Sequence, residues 1–461
     1  MYNVRRVGPL QPLCCRRFSG LRSQGPPVQL PPSAFPCWKP RTFFHHEVLH
    51  VSKKAGSRAR VGRLHTPHGT VETPGFVVVG TNGAVKCVDH HAADAAGMEL
   101  MFSNTLHLML HPGTDSIEAA GGLHTFIGRQ RKPLITDSGG FQIFSFANRG
   151  KDAMPGAGVD TSSYTRPADK ESYGAEHSHS ELKSSRHDNA RLKWSRIDDD
   201  VLGPEARPKV FINEEGARFR SYRDGSLVEL TPESTVRAQK AIGADIIIPL
   251  DDLPAAGTGP DALEASVQRT HRWEARSLLE HVRNPREQAM YGVIHGGTDR
   301  RLRAGSVELL SALPFDGFAI GGSLGRDRSE MFEMLAHLMP LVPSHKPNHL
   351  LGMGDEESLR RCVSMGVDTF DSSWPTRLGR HGTLLTRGGP LKINQAEHRN
   401  AYSPIDPACD GFVNANYSRA HLHHLWRAKE PVVHSLLTLH NIKYMMDLMA
   451  DLRGKILRDE I

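Results

Sequence analysis

Eight short, almost uninterrupted apolar runs recur along this chain, and most are followed by a stretch of helical periodicity. They are Phe76–Thr81, Leu100–Thr105, Leu134–Ser138, Asp245–Leu250, Met290–Gly296, Phe318–Gly322, Asn348–Gly354 and Thr369–Trp374. Continuous rather than alternating hydrophobicity marks strands buried on both faces, as in parallel sheets. Residues 231–243, 261–283, 299–312, 328–341 and 355–365 carry the helical pattern between them. Eight such units predict an α/β fold, a (β/α)8 TIM barrel over about 51–400, in preference to a doubly wound sheet. Barrel active sites form at the C-terminal ends of the strands. Asp137, Asp251, His295, Gly322 and Asp371 fall at or just past such ends, so they are expected to converge on one mouth.

Three segments stand outside this pattern. Residues 150–207 are rich in Ser, Asp, Lys, Arg, His and Gly and poor in apolar residues, which predicts a largely disordered insertion before a hairpin at Val210–Val228. A solvated linker is the default there; Lys183, Arg186, Arg191 and Lys193 offer the alternative of an RNA or partner contact. Residues 401–461 read as a C-terminal subdomain: a loop with Cys409, then helices over Tyr417–Ala428 and Leu436–Leu452. Met445, Met446 and Met449 recur at helical spacing there and read as core packing. Residues 1–50 form a basic, Pro-rich extension, either a mitochondrial transit peptide or a disordered tail, and are not expected to pack into the fold.

That extension changes the meaning of the charge. The formal +6 includes seven Lys/Arg and no Asp or Glu within residues 1–44, so the remainder is one charge from neutral. Any hold on nucleic acid must then come from local clusters. The six cysteines include no C-x-x-C pair, which argues for a reducing compartment and against a disulfide framework. No apolar run approaches the length of a membrane span. Neither a Walker motif nor a dinucleotide fingerprint occurs, so ATP and redox cofactors are not expected.

Candidate chemistry centres on Pro133-Leu-Ile-Thr-Asp-Ser-Gly-Gly-Phe-Gln-Ile-Phe-Ser145 and Gly366-Val-Asp-Thr-Phe-Asp-Ser-Ser-Trp-Pro-Thr-Arg377. In the first, a strand runs into Asp137 and a glycine pair where backbone can pass close to a flat ligand. In the second, a strand ends on Asp371, with Arg377 and Arg380 following. Both segments resemble signature motifs of the tRNA-guanine (queuine) transglycosylases. Val79–Lys86, Asn104–Gly113, Phe318–Gly322, Leu351–Gly354 and Asn416–Leu425 match further family blocks in order, so the resemblance spans about Val77 to Met449.

The resemblance implies a TIM barrel, a tRNA anticodon loop as substrate, and exchange of guanine for queuine through two displacements. By motif position Asp371 is the implied nucleophile, and Asp137 the implied proton acceptor and general acid-base. Ser138, Gly139, Gly140, Phe141, Asp251, Gly321 and Gly322 are the implied base-binding residues, with His295 standing where the family usually has glutamine. Gly352, Met353, Gly354, Asp355, Glu356, Glu357, Ser358, Thr376, Arg377, Leu378, Gly379 and Arg380 are the implied RNA-binding residues. Gly325, where bacterial members carry valine, leaves room for the cyclopentenediol of queuine; Leu253 replaces a bacterial cysteine.

The main departure concerns the family's structural zinc, held by C-x-C-x-x-C and a downstream histidine. Cys409 and His440 survive as a remnant, while Gly411 and Asn414 replace two thiolates, so zinc is not expected to be held tightly. The chemistry itself is expected to need no cofactor. Two function classes follow: a catalytic transglycosylase, or a non-catalytic accessory subunit of the same family. Family members pair as homodimers or as heterodimers with a non-catalytic homologue. The implied compartment is the cytoplasm or the mitochondrion.

Overall fold

The computed structural model describes residues 28–143, 210–254 and 257–461. At its centre eight parallel strands close into a barrel. In chain order they are β1 (Gly75–Val79), β2 (Met101–Ser103), β3 (Leu134–Thr136), β4 (Ile246–Ile247), β5 (Ala289–Ile294), β6 (Gly317–Ile320), β7 (Asn348–Leu350) and β8 (Thr369–Ser372). Every predicted apolar run overlaps one of them, with Gly75, Ala289 and Gly317 starting their strands one residue before the run. Each strand pairs with its neighbour in sequence, and β8 closes on β1 with Thr369 beside Gly75 and Ser372 beside Val78.

The alternation within each strand divides the core. Val77, Phe102, Ile135, Ile246, Tyr291, Val293 and Ala319 form one cluster inside the barrel. Phe76, Val78, Met101, Leu134, Ile247, Phe318 and Phe370 belong to a larger cluster shared with the surrounding helices. Those helices include Pro232–Ile242, Pro260–Arg283, Arg300–Ser311, Arg328–Leu338 and Glu356–Ser364. Four of these starts are fixed by side-chain caps, because Thr231, Asp299, Asp327 and Asp355 each accept a first-turn N–H, while the fifth opens on Pro260 after Gly259.

An antiparallel sheet of His45–Val51, Arg60–Thr66 and Gly69–Thr73 accompanies the N-terminal end of the barrel. Phe44, Leu64 and Val71 join the interior cluster, with the Phe44 ring 6.0 Å from Tyr291. The expectation that the basic extension stays outside the fold is therefore corrected from Val28 onward. Phe35 and Phe44 are buried, and Trp38 Nε1 and Arg41 Nε both donate to Asp316 Oδ1 (3.1 and 3.0 Å). The aromatic residues between the prolines anchor it, a contribution that overall composition conceals. The transit-peptide question and the 150–207 insertion lie outside the described residues.

Beyond the insertion, Phe211–Ile212, Ala217–Arg220 and Leu227–Leu230 form a three-stranded sheet. It packs on Leu106, Ile143 and Trp273. At the C-terminus the helix Val432–Leu457 is longer than expected and serves two cores. Met445, Met449 and Leu452 enter the main core, while Val433, Leu436 and Leu437 join a satellite core with Leu384, Ile393, Val413 and Leu422. Among the described residues no helix is long and apolar enough to cross a membrane.

Candidate active site at the barrel mouth

The strand ends deliver the candidate residues to one rim. Asp137 follows β3, Asp251 lies shortly past β4, His295 follows β5, Gly321 and Gly322 follow β6, and Asp371 lies in β8. Among the described residues Asp137 is dressed with neutral donors only. Its Oδ2 accepts from Asn104 Nδ2 (2.7 Å) and Gln142 Nε2 (2.9 Å), and its Oδ1 from the Thr105 N–H (2.7 Å). Burial pushes its carboxyl above the usual range, helped by the nearby Asp251 charge and opposed by these hydrogen bonds. Such a group can hold a proton and release it to a bound base.

Asp251 is the neighbouring carboxylate. Its Oδ2 meets His295 Nε2 at 2.9 Å, and Ser138 Oγ lies 3.5 Å from Oδ1. At residue 140 a Cβ would stand 2.4 Å from Asp251 Oδ1, so only glycine lets this loop lie against the carboxylate. Phe141, by contrast, is 45% exposed and free to offer a stacking face. Arg303 staples the loops after β5 and β6. Its guanidinium donates to the carbonyls of Ile294 (2.7 Å), Gly297 (2.8 Å), Gly321 (2.8 Å) and Ser323 (3.0 Å). Burial lowers it to about 9.

Asp371 is dressed on one side. Its Oδ1 accepts from His349 Nε2 (3.1 Å) and the Gly352 N–H (2.9 Å), while among the described residues Oδ2 has no partner. The His349 ring is itself set by Thr369 Oγ1, 2.9 Å from Nδ1. The Thr369 hydroxyl also donates to the Asn348 carbonyl (3.2 Å), which ties the His349 ring to the strand backbone. A carboxylate with one oxygen fixed and the other free is a suitable nucleophile.

The implied RNA-binding residues divide sharply. Asp355 caps the next helix (Ser358 N–H, 3.1 Å) and meets Arg328 at 3.0 Å, while Glu357 also pairs with Arg328 (2.7 Å). Glu356 accepts from Tyr444 Oη (2.5 Å) and pairs with Arg360, and Met353, Ser358 and Thr376 are buried. Gly354 and Gly379 are buried too, and Leu378 is half-buried. Arg377 is exposed and Arg380 half-buried, and among the described residues neither meets a carboxylate.

Sequence reasoning missed Asn104, Gln142, His349 and Arg303. Gln142 and Asn104 lie inside matched blocks and were legible as members of them. His349 shows as a polar residue on an apolar strand. Arg303 gives no signal, since its role depends on four carbonyls from separate loops.

The zinc-motif positions were tested against their donors. Gly411 has none to offer. The Asn414 carboxamide accepts the Asp406 N–H (2.9 Å) and donates to His440 Nδ1 (3.0 Å), and His440 Nε2 donates to the Leu385 carbonyl (2.8 Å). Cys409 Sγ lies 3.9 Å from Asp447 Oδ2, and burial raises its thiol. This set does not fit a tetrahedral zinc. Among the described residues, one other cluster has metal-ligand composition: His68, His124 and Asp245, at the opposite end of the barrel. The two rings stack 3.6 Å apart and both hydrogen-bond Asp245, which also accepts two backbone N–H groups. That carboxylate is already satisfied as a structural hub.

Known proteins of similar sequence share one name. The family model described as queuine tRNA-ribosyltransferase matches residues 54–180 and 198–461. A queuine tRNA-ribosyltransferase of Protochlamydia amoebophila is 48% identical over 423 residues, covering 91% of this chain and 97% of the relative. Relatives with the same name from Chlamydia felis and Chlamydia trachomatis serovar D are 44% and 42% identical over 419 residues, covering 91% and 90% of this chain and 99% of each relative. The chain belongs to the queuine tRNA-ribosyltransferase family.

Proposed function

We propose that this chain is a tRNA-guanine transglycosylase that exchanges the wobble guanine of tRNAs with a GUN anticodon for queuine. The observation that carries this reading is the one-sided dressing of Asp371, in the same mouth as Asp137, whose carboxyl burial pushes above the usual range. Family membership and the relatives' shared name support it.

In this reading Asp371 Oδ2 attacks C1′ of the flipped nucleotide, the C1′–N9 bond breaks, and guanine leaves with a proton from Asp137. The incoming base then returns a proton to Asp137, and its nitrogen displaces Asp371 from C1′, so configuration is retained overall. Asp251 accepts from the purine amino and imino edge, while Ser138, Gly139, Gly140, Gly321 and Gly322 line the base with backbone groups, and Phe141 stacks. The His295 donor that a base carbonyl would need is engaged with Asp251, which stiffens that carboxylate before the base arrives. Arg377 and Arg380 are the residues proposed to grip the anticodon phosphates. A Cβ at residue 325 would stand 3.0 Å from Glu330 Cβ and 3.1 Å from the Met331 nitrogen, so Gly325 serves local packing, and the preference for queuine rests on the family instead. The chemistry uses neither metal nor redox cofactor in this scheme.

Incorporation of labelled guanine into tRNA with a GUN anticodon tests the reading, with Asp371→Ala alongside. Wild-type incorporation is expected, falling by about four orders of magnitude or more in the variant. Incorporation that appears only after adding a non-catalytic homologue would establish the heterodimer. Failure under both conditions would favour the accessory-subunit reading, which intact Asp137 and Asp371 otherwise oppose.

A further inference from the structure

We propose that the Lys443 side chain, together with the Asn414–His440 pair, takes the mechanical place of the family's structural zinc, so that this chain closes its C-terminal loop without holding a metal there. Lys443 Nζ lies 2.6 Å from Asp410 Oδ1 and 2.5 Å from Asp447 Oδ1. Asp410 sits in the loop between Cys409 and Gly411, and Asp447 sits on the helix Val432–Leu457 with His440. The lysine therefore bridges loop to helix, the same two segments that a zinc held by loop thiolates and His440 would join. His440 and Lys443 are three residues apart, on one helical face.

The volume is committed as well as the charge. At residue 411 a Cβ would stand 2.8 Å from Lys443 Cγ and 3.5 Å from Cys409 Sγ, so the lysine stem fills the space a thiolate would need. The other two ligand positions satisfy one another through Asn414 Nδ2 and His440 Nδ1. Asp410 is 89% exposed, so the ion pair alone contributes little. The closure rests on three parts together: the lysine stem, the Asn414–His440–Leu385 chain, and the apolar packing of Val413, Leu422 and Leu436.

This closure reaches the mouth through the next residue on the helix. Asn441 Nδ2 donates to the carbonyls of Pro375 (2.9 Å) and Thr383 (3.0 Å), and its Oδ1 accepts the Leu385 N–H (2.9 Å). Those contacts bracket Arg377 and Arg380. Lys443 is thus a positioning residue for the segment proposed to hold RNA, and only this last step rests on the proposed function.

Metal content of the full-length protein, purified from zinc-supplemented cells without chelator or metal-affinity resin, tests the proposal directly. The wild type is expected to carry no stoichiometric zinc and to keep its Tm in excess chelator. The double variant G411C/N414C is expected to remain metal-free while Lys443 is present. Adding Lys443→Ala to it should yield about one zinc per chain and a chelator-sensitive Tm. Stoichiometric zinc in the wild type, or in the double variant with Lys443 intact, would overturn the proposal. Should the triple variant fail to fold, Lys443→Ala in the wild-type background decides: a lower Tm is expected, and an unchanged Tm would overturn the lysine's part in the closure. In the wild-type background Lys443→Met should raise KM for tRNA about threefold with kcat unchanged, and Lys443→Arg should restore it. An unchanged KM would remove the link to the RNA-gripping segment.

Discussion

The two ends of the barrel use the same side chain for opposite purposes. At the N-terminal end Asp245, Asp316 and Asp368 immediately precede β4, β6 and β8. Each accepts a backbone N–H from the start of the preceding strand: Leu134 (2.8 Å), Met290 (3.1 Å) and Asn348 (2.8 Å). Each also meets a cationic or protonatable partner, His68 and His124 on Asp245, Arg41 on Asp316, and a two-pronged Arg60 on Asp368. At the mouth, Asp137, Asp251 and Asp371 meet only amides, a hydroxyl, imidazoles and backbone N–H groups, with no Arg or Lys among the described residues. Protonation follows the difference. Burial pushes Asp245 up, but hydrogen bonds from His124 and His68 outweigh it and hold its carboxyl below the usual range; at Asp137 burial wins. The contrast is clearest between these two: Asp245 is tied to two imidazoles and two backbone N–H groups, whereas Asp137 meets two amides and one backbone N–H.

The sharpest way to break this contrast is Asp368→Ala. The change strands Arg60, 8% exposed, with carbonyls of Ser344 and Lys346 as its remaining partners. A loss of about 3–5 kcal/mol is expected in urea unfolding, because a buried charge is left unpaired. Exchange activity per folded molecule should survive. A loss under about 1 kcal/mol would show that water or rearrangement replaces the carboxylate, and that the N-terminal ring is not a stability device.

Asp137→Asn tests the other end with a smaller energy and the opposite sign. A group whose folded pKa is raised stabilises below its unfolded value of about 3.9, and that contribution is lost as pH rises through the folded value. At neutral pH the ionised form therefore costs stability. The asparagine variant is expected to gain about 1–3 °C in Tm at pH 7.5 while exchange falls by about 10²–10⁴. A lower Tm would mean that Asn104, Gln142 and the Thr105 N–H already compensate the ionised carboxylate in full.

How much of this was legible in the chain differs between the two ends. The eight strands and five barrel helices were readable because burial on both faces leaves continuous apolar runs, and Asp137 and Asp371 because a motif follows each strand end. The N-terminal ring was hidden. Asp245, Asp316 and Asp368 look like ordinary residues opening a strand, and their partners His68, Arg41 and Arg60 lie 177, 275 and 308 residues away in a hairpin or an extension. Arg41 was even counted among residues expected to stay outside the fold. The same limit applies to Glu356 and Asp355: the motif marked them, but helix capping and a Tyr444 contact engage their side chains within the chain.

The smallest effect concerns pH and the His68–His124–Asp245 hub. Asp245, depressed, contributes stability that is full above about pH 3.9 and lost as pH falls through its folded value. His68 is raised by its hydrogen bond to Asp245 against partial burial, so its contribution is full below about pH 6.5 and lost as pH rises through the folded value. The hub is therefore strongest between about pH 4 and pH 6.5. The His68 side chain is 35% exposed, so water screens the pair and the alkaline limb amounts to about 1–2 °C in Tm. His68→Asn should flatten that limb between pH 6 and 8.5 while leaving the acid limb, which His124 and the Leu134 N–H maintain. An alkaline slope equal to wild type would assign that limb to groups other than His68.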